Sequence, residues 1–469
     1  MPLKPRRLRS VRRWIFAYFF LLLFEGALRK WVFAGVPLIS LPFSVARDPI
    51  AVIIWILAWR AGVLSNNLRR ASWLGLGAFS VLGTLQIFAN SGLNFWIVLY
   101  GLRTYWLHVP LVFIMAEVLG QDDLQQIGRW LLALAGPMAA LMVAQFFAPP
   151  DSFLNRGMLE GVGQIGSALG RIRPAGTFSY NTGTGNFNLL VAAFLIYSSV
   201  NGRWVSPWMR WTAAVAVVVT LPISGSRGFV LTVAELLAFA LIGGNFNGRL
   251  LRVTLGTIAV GGAIFFLLTF SGFFQEGLET FTTRWDQAIA STTTGSFSEA
   301  IVMRFFGEFL DAFRALGEAP IFGHGIGLGS NFGSALTFGS LGFALAEGEW
   351  PRTVLEMGPI AGAVWLGLRC ALGFYLLGRS WVFLRRGRVL AWLLFGTECT
   401  TFFNGSLAQP TSLGFLIFTT GLCLAAIKSA ERGESIPARA PNGPIRRIEL
   451  RAIREVRRRY PAAVVESGI

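Results

Sequence analysis

The sequence predicts an all-α polytopic membrane protein, and three observations carry that expectation. The 469 residues are 54% apolar and only 14% charged, with a mean hydropathy of +0.58, whereas a soluble domain carries about 25% charged residues. The apolar residues gather in blocks of about twenty, the length that crosses about 30 Å of hydrocarbon. Lys and Arg are also distributed very unequally between alternate connections, as they are when one side of a membrane protein faces the cytoplasm. Together these exclude a soluble enzyme, a DNA-binding protein and a secreted disulfide scaffold.

Twelve spans are predicted, at about 14–33, 49–64, 71–90, 98–119, 129–148, 184–200, 208–224, 228–243, 252–272, 353–378, 389–407 and 410–427. The first follows a basic N-terminus without a small-residue cleavage site, so it reads as an uncleaved span. Of the 41 Lys and Arg, 28 fall in the connections on the side of the two termini and 9 on the other, which places both termini in the cytoplasm. The net charge of +17 is therefore assigned to cytoplasmic loops, not to nucleic-acid binding. The fourth span carries Arg103 and His108, so residues 93–103 could instead lie flat or re-enter. The organisation expected is a basic N-terminus (1–13), spans one to nine (14–272), a large outer loop (273–352), spans ten to twelve (353–427) and a basic tail (428–469).

The outer loop is not a linker. Residues 299–317 place Ile301, Phe305, Phe309, Ala312, Phe313 and Leu316 at helical spacing, which predicts an amphipathic helix lying on the membrane face or on the bundle. The tail after 427 reads as a solvated segment near anionic lipid. No internal repeat is visible, against transporter folds made of repeated halves.

Cofactor and metal chemistry is not expected. The three cysteines, Cys370, Cys399 and Cys423, lie inside apolar blocks, and two histidines cannot build a multi-histidine site. Gly161-Val162-Gly163-Gln164-Ile165-Gly166 has the spacing of a dinucleotide loop but lacks the strand and helix that such a loop needs. What remains is a set of arginines at the scarcely charged outer side. Arg173 begins Arg173-Pro174-Ala175-Gly176-Thr177-Phe178-Ser179-Tyr180-Asn181, Arg227 lies in Ser224-Gly225-Ser226-Arg227-Gly228, and Arg352 follows Glu347-Gly348-Glu349-Trp350-Pro351. For each, snorkelling to lipid headgroups is the competing explanation. Three at span ends, each beside Gly, Ser or Thr, suggest a converging anion site, because guanidinium groups bind phosphate oxygens bidentately.

Four patches in order, at 173–182, 224–228, 319–327 (Ala-Pro-Ile-Phe-Gly-His-Gly-Ile-Gly) and 355–362 (Leu-Glu-Met-Gly-Pro-Ile-Ala-Gly), resemble the O-antigen ligase and polymerase superfamily of bacterial polysaccharide assembly. The resemblance covers about residues 170–365; the N-terminal third matches only in hydropathy and span count. It implies glycosyl transfer at the periplasmic face of the bacterial inner membrane from a polyisoprenyl-diphosphate-linked glycan to a glycan acceptor, with no metal or cofactor, and a chain-length regulator as a further partner. It also implies that Arg173 and Arg227 hold the diphosphate; Arg352 joins them by its position. The pattern departs where members carry a His about nine residues before the Glu matching Glu356. This chain has Glu347 there and Glu349 two residues on, and one of these is the expected base, unless both merely pair with Arg352 on the surface. Thr177, Asn181, Ser226, Arg304 and His324 are expected in support, His324 chiefly as a structural residue of its Gly-rich turn. A ligase for a lipid or protein acceptor and a flippase for the same lipid-linked glycans are the alternative readings.

Overall fold

The computed structural model describes residues 5–33, 45–90, 92–157, 164–201, 204–290, 297–339 and 345–434. Among these residues the chain forms helices and no strand; its one isolated bridge joins Gly166 to Ile172. In chain order the helices are α1 (Pro5–Ala27, continued by a π-helical turn Leu28–Val32), α2 (Arg47–Ala61), α3 (Asn66–Ala89), α4 (Phe95–Val118), α5 (Gln121–Phe147), α6 (Asn181–Val200), α7 (Pro207–Ile223), α8 (Arg227–Gly244) and α9 (Gly248–Leu268). There follow α10 (Gly272–Ala290), α11 (Phe297–Glu318), α12 (Asn331–Phe338), α13 (Glu349–Met357), α14 (Pro359–Arg385), α15 (Leu390–Asn404) and α16 (Pro410–Glu431).

A helix lies over each of the twelve expected spans, but eight are long and apolar enough to cross a membrane: α3, α4, α5, α6, α8, α9, α14 and α16. Of the other four, α2, α7 and α15 are only 15 to 17 residues long, and the apolar part of α1 contains Glu25, Arg29 and Lys30. Helix starts follow local chemistry. The side chains of Ser65, Asn94, Ser206, Ser226 and Asn247 accept hydrogen bonds from the first-turn amides of α3, α4, α7, α8 and α9, and Pro207, Pro359 and Pro410 stand where a missing N–H costs nothing. The expected start of the tenth span at 353 moves to Pro359, because Gly358, at φ +82°, ends α13 first.

α16 and α6 form the middle of the bundle, with 89% and 83% of their apolar stretches buried, and are apolar on all sides as a central helix must be. The charges in the fourth span are accounted for by pairing. α4 passes through a π-helical turn at Arg103–Leu107, Arg103 Nε reaches Asp48 Oδ2 at 2.6 Å and His108 Nε2 reaches Asp48 Oδ1 at 3.0 Å. α11 forms as expected, yet its face differs. Ala312 and Ala315 are buried and Phe309 packs edge-on against Trp350, while Phe313 is 73% exposed. The small residues allow close approach to α13 and turn Phe313 outward.

The connections sort by contact into two ends. One end gathers the turn after α1, the described residues of 145–183 and of 272–358, the α7–α8 turn and the α15–α16 turn. The other brings Gln121 to Tyr197 and Glu434, and Phe246 to Trp381.

Candidate functional site

At the first end, the patches at 173–182 and 224–228 come together. Glycine at 225, at φ +56°, turns the chain so tightly that a Cβ there would lie 3.8 Å from Arg173 Cγ and 3.7 Å from an Arg284 nitrogen. Arg173, Arg227 and Arg284 thus form one cluster, with Arg227 at the first position of α8 and Arg284 on α10. Burial and the charges of Arg284 and Arg227 push the Arg173 guanidinium down to about 10, and burial and Arg227 lower that of Arg284. Arg173 Nε, Arg284 Nη1 and the neighbouring Ser167 Oγ are buried without a hydrogen-bond partner. Like charges and unmet donors at one spot are costly unless an anion satisfies both. Nearby Arg171 is already paired, with Glu276.

The supporting residues hold backbone. Thr177 Oγ1 donates to Leu23 O at 2.5 Å, Ser226 caps α8 through Phe229 N–H at 3.2 Å, and Asn181 opens α6. The loop also rests on α1. Lys30 Nζ, fully buried, donates to Gly176 O at 2.7 Å, and Arg29 Nη1 reaches Ser179 Oγ at 3.3 Å. Glycine is required at 26, where a Cβ would lie 2.2 Å from Ser179 N and 2.3 Å from the Phe178 carbonyl carbon. We expect Gly26→Val to force this loop away, costing about 1–3 kcal/mol; an unchanged melting temperature would show that the contact is slack.

The patches at 319–327 and 355–362 also meet. His324 N–H donates to Leu355 O at 2.8 Å and Gly325 N–H to Glu356 O at 3.2 Å, so His324 serves through its backbone. Gly323, at φ +74°, permits that approach, since a Cβ would stand 2.3 Å from Glu356 O.

Two expected roles are corrected. Arg352 does not join the arginine cluster: Nη2 binds Glu349 Oε2 at 2.5 Å, and Nη1 binds Glu356 Oε2 at 3.1 Å and Tyr105 OH at 3.0 Å. Glu349 is not placed to act as a base: Arg369 Nη1 at 3.2 Å and Leu407 N–H at 3.0 Å also bind it, and its side chain is wholly buried. Tyr105 OH at 2.5 Å and Gly329 N–H at 2.7 Å complete the partners of Glu356. The pairing with Arg352 foreseen for the surface is an interior strut tying α13 to α4, α14 and the α15–α16 turn. Glu347 is exposed. The side chain of Arg304 and Gly161, Val162 and Gly163 lie outside the described residues.

Arg284 escaped the sequence reading because nothing in Thr282-Thr283-Arg284-Trp285 marks a turn or a span end. The strut did leave a signal: Glu349, Arg352 and Glu356 at i, i+3 and i+7 share one helical face. Among the described residues no group of His, Cys, Asp and Glu could hold a metal ion. No protein-family model matches this chain, and no curated protein matches it significantly.

Proposed function

We infer that this protein is a glycosyltransferase of the bacterial inner membrane that works at the periplasmic face. It transfers a glycan from a polyisoprenyl-diphosphate carrier to an acceptor sugar hydroxyl, polymerising O-antigen or exopolysaccharide repeat units. The observation that supports this reading is the cluster of Arg173, Arg227 and Arg284, with two buried guanidinium N–H donors awaiting an acceptor. A diphosphate has the charge and the oxygens for it, and the same contacts would stabilise the charge that develops as it leaves. In the step proposed, the acceptor oxygen attacks the anomeric carbon and the bond to the diphosphate oxygen breaks. The diphosphate departs with the electron pair, and the acceptor proton passes to a carboxylate. Glu347, the exposed member of the expected pair, is our candidate for that base. Attack opposite the leaving group inverts the anomeric centre.

A ligase would use the same chemistry on a lipid or protein acceptor. A flippase is the less favoured reading, since three of the carboxylates within the bundle are held by arginines, Glu25 by Arg47 at 2.6 Å, Asp48 by Arg103 at 2.6 Å and Glu349 by Arg369 at 3.2 Å, and Arg173 and Arg284, whose donors are unmet, gather at one end. Purified protein supplied with lipid-linked repeat units should lengthen them in excess chelator. No product, or product only after one particular cation is restored, would defeat this mechanism.

Twelve crossings with both termini cytoplasmic belong to the same proposal. Alkaline phosphatase fused within 273–352 should be active, and a fusion at 379–388 inactive. The reverse pattern would place the arginine cluster on the cytoplasmic side.

A further inference from the structure

α9 lies at the edge of the bundle. Only 11% of its apolar stretch is buried, although α6, α7 and α8 lie beside it. Between these four helices runs an apolar cavity of about 640 Å³. Its wall includes Ala214, Val218 and Leu221 of α7, Leu236 of α8, and Gly256 and Gly261 of α9. Along α7 the lining extends from Pro207 to Leu221, about 21 Å at about 1.5 Å per residue. One turn beyond Leu221 the chain reaches Ser224-Gly225-Ser226-Arg227, the turn that carries the arginine cluster.

The α9 glycines leave this space open. A Cβ on Gly256 would meet nothing within 4 Å, and one on Gly261 would touch only Val218, at 3.9 Å. Glycine weakens a helix interior by up to about 1 kcal/mol relative to alanine, and here no neighbour packs against the missing side chains. A long apolar slot with Arg210 at its Pro207 end and the three-arginine cluster one turn beyond its Leu221 end is complementary to an amphiphile with a long hydrocarbon chain. A headgroup with two phosphates matches the end where three arginines gather.

We propose that the cavity between α6, α7, α8 and α9 holds the isoprenoid chain of the donor lipid while Arg173, Arg227 and Arg284 hold its diphosphate. This rests on the functional reading above and adds where the carrier's chain lies. Bound so, the chain fixes the headgroup from below, and affinity grows with the hydrocarbon length that the slot can cover.

The test uses the full-length protein in nanodiscs with four probes: undecaprenyl diphosphate, farnesyl diphosphate, inorganic pyrophosphate and phosphatidylglycerol. The wild type should bind the longest isoprenoid diphosphate most tightly. Gly256→Leu and Gly261→Leu fill the slot in helical positions that favour leucine over glycine, so folding is not put at risk. Each should weaken undecaprenyl diphosphate by about tenfold or more and leave pyrophosphate binding unchanged. Arg284→Ala should weaken all three diphosphates alike. Equal affinity for long and short chains, undiminished long-chain binding in the leucine variants, or phosphatidylglycerol binding as tightly as the isoprenoid would each overturn the proposal. Chain-length-dependent binding without any glycan transfer would defeat the functional reading and leave the slot assignment standing.

Discussion

Arg352→Ala is expected to abolish stable accumulation of the protein in the membrane. The substitution strips Glu349 and Glu356 of the guanidinium they share, and both side chains are fully shielded from solvent. Removing one partner of a buried ion pair costs about 3–5 kcal/mol, a large part of a stability of about 5–15 kcal/mol. Arg369 still reaches Glu349, but the partners left to Glu356 are uncharged. Glu349→Gln keeps the shape and loses the charge, so it should lower the melting temperature and reduce activity only in proportion to the folded fraction. If Glu349→Gln instead lost more than about a hundredfold in turnover at unchanged melting temperature and donor binding, Glu349 would be a base after all.

Arg173→Ala, Arg227→Ala and Arg284→Ala should behave in the opposite way. Each removes charge-assisted hydrogen bonds to a phosphate of about 1.5–3 kcal/mol, so turnover should fall by about 10- to 100-fold or more. Lysine should restore little, because a point charge does not reproduce the planar fork. In the absence of ligand, replacing Arg173 or Arg284 relieves repulsion within the cluster and removes a buried unpartnered donor, so these two ligand-free variants should melt at the same temperature or higher. Loss of activity with gain of stability is the signature to look for. Near-normal polymer synthesis in all three variants at normal expression would make these arginines lipid anchors and move the active site elsewhere.

The helices were legible in the sequence because burial in lipid demands a long apolar run, and such a run survives without knowledge of its neighbours. Crossing length was less legible. α2 and α15 stop at Ala61 and Asn404, where Gly62 and Gly405 cap them, three residues before the expected ends at 64 and 407, while α7 has its expected length. The site was half legible. Arg173 and Arg227 sit beside glycine turns that announce close packing, whereas Arg284 is brought to them only by the way α10 folds back against α7. Arg352 was misread for a related reason. Its nearness to a span end suggested an open, wet position, but Tyr105, from a distant part of the chain, binds it, and the turn at Gly329 packs against its stem. Sequence position sets height along the bundle well and says little about which side chains face each other across it.

The central place of α16 bears on how the molecule is made. Among the described residues it is the last apolar helix to leave the ribosome, yet it fills the middle of the bundle, pressed against α4, α6 and α15. Until residue 431 has been synthesised, those helices have no centre to pack on and must wait in the bilayer with their inner faces turned to lipid. The loop at 173–181 need not wait: α1, on which it seats, was completed about 150 positions earlier. Its other partner, Gln145, lies much nearer in sequence and also precedes it. Maturation is therefore expected to be largely post-translational, with a ribosome stalled just short of α16 leaving an inserted but protease-sensitive chain.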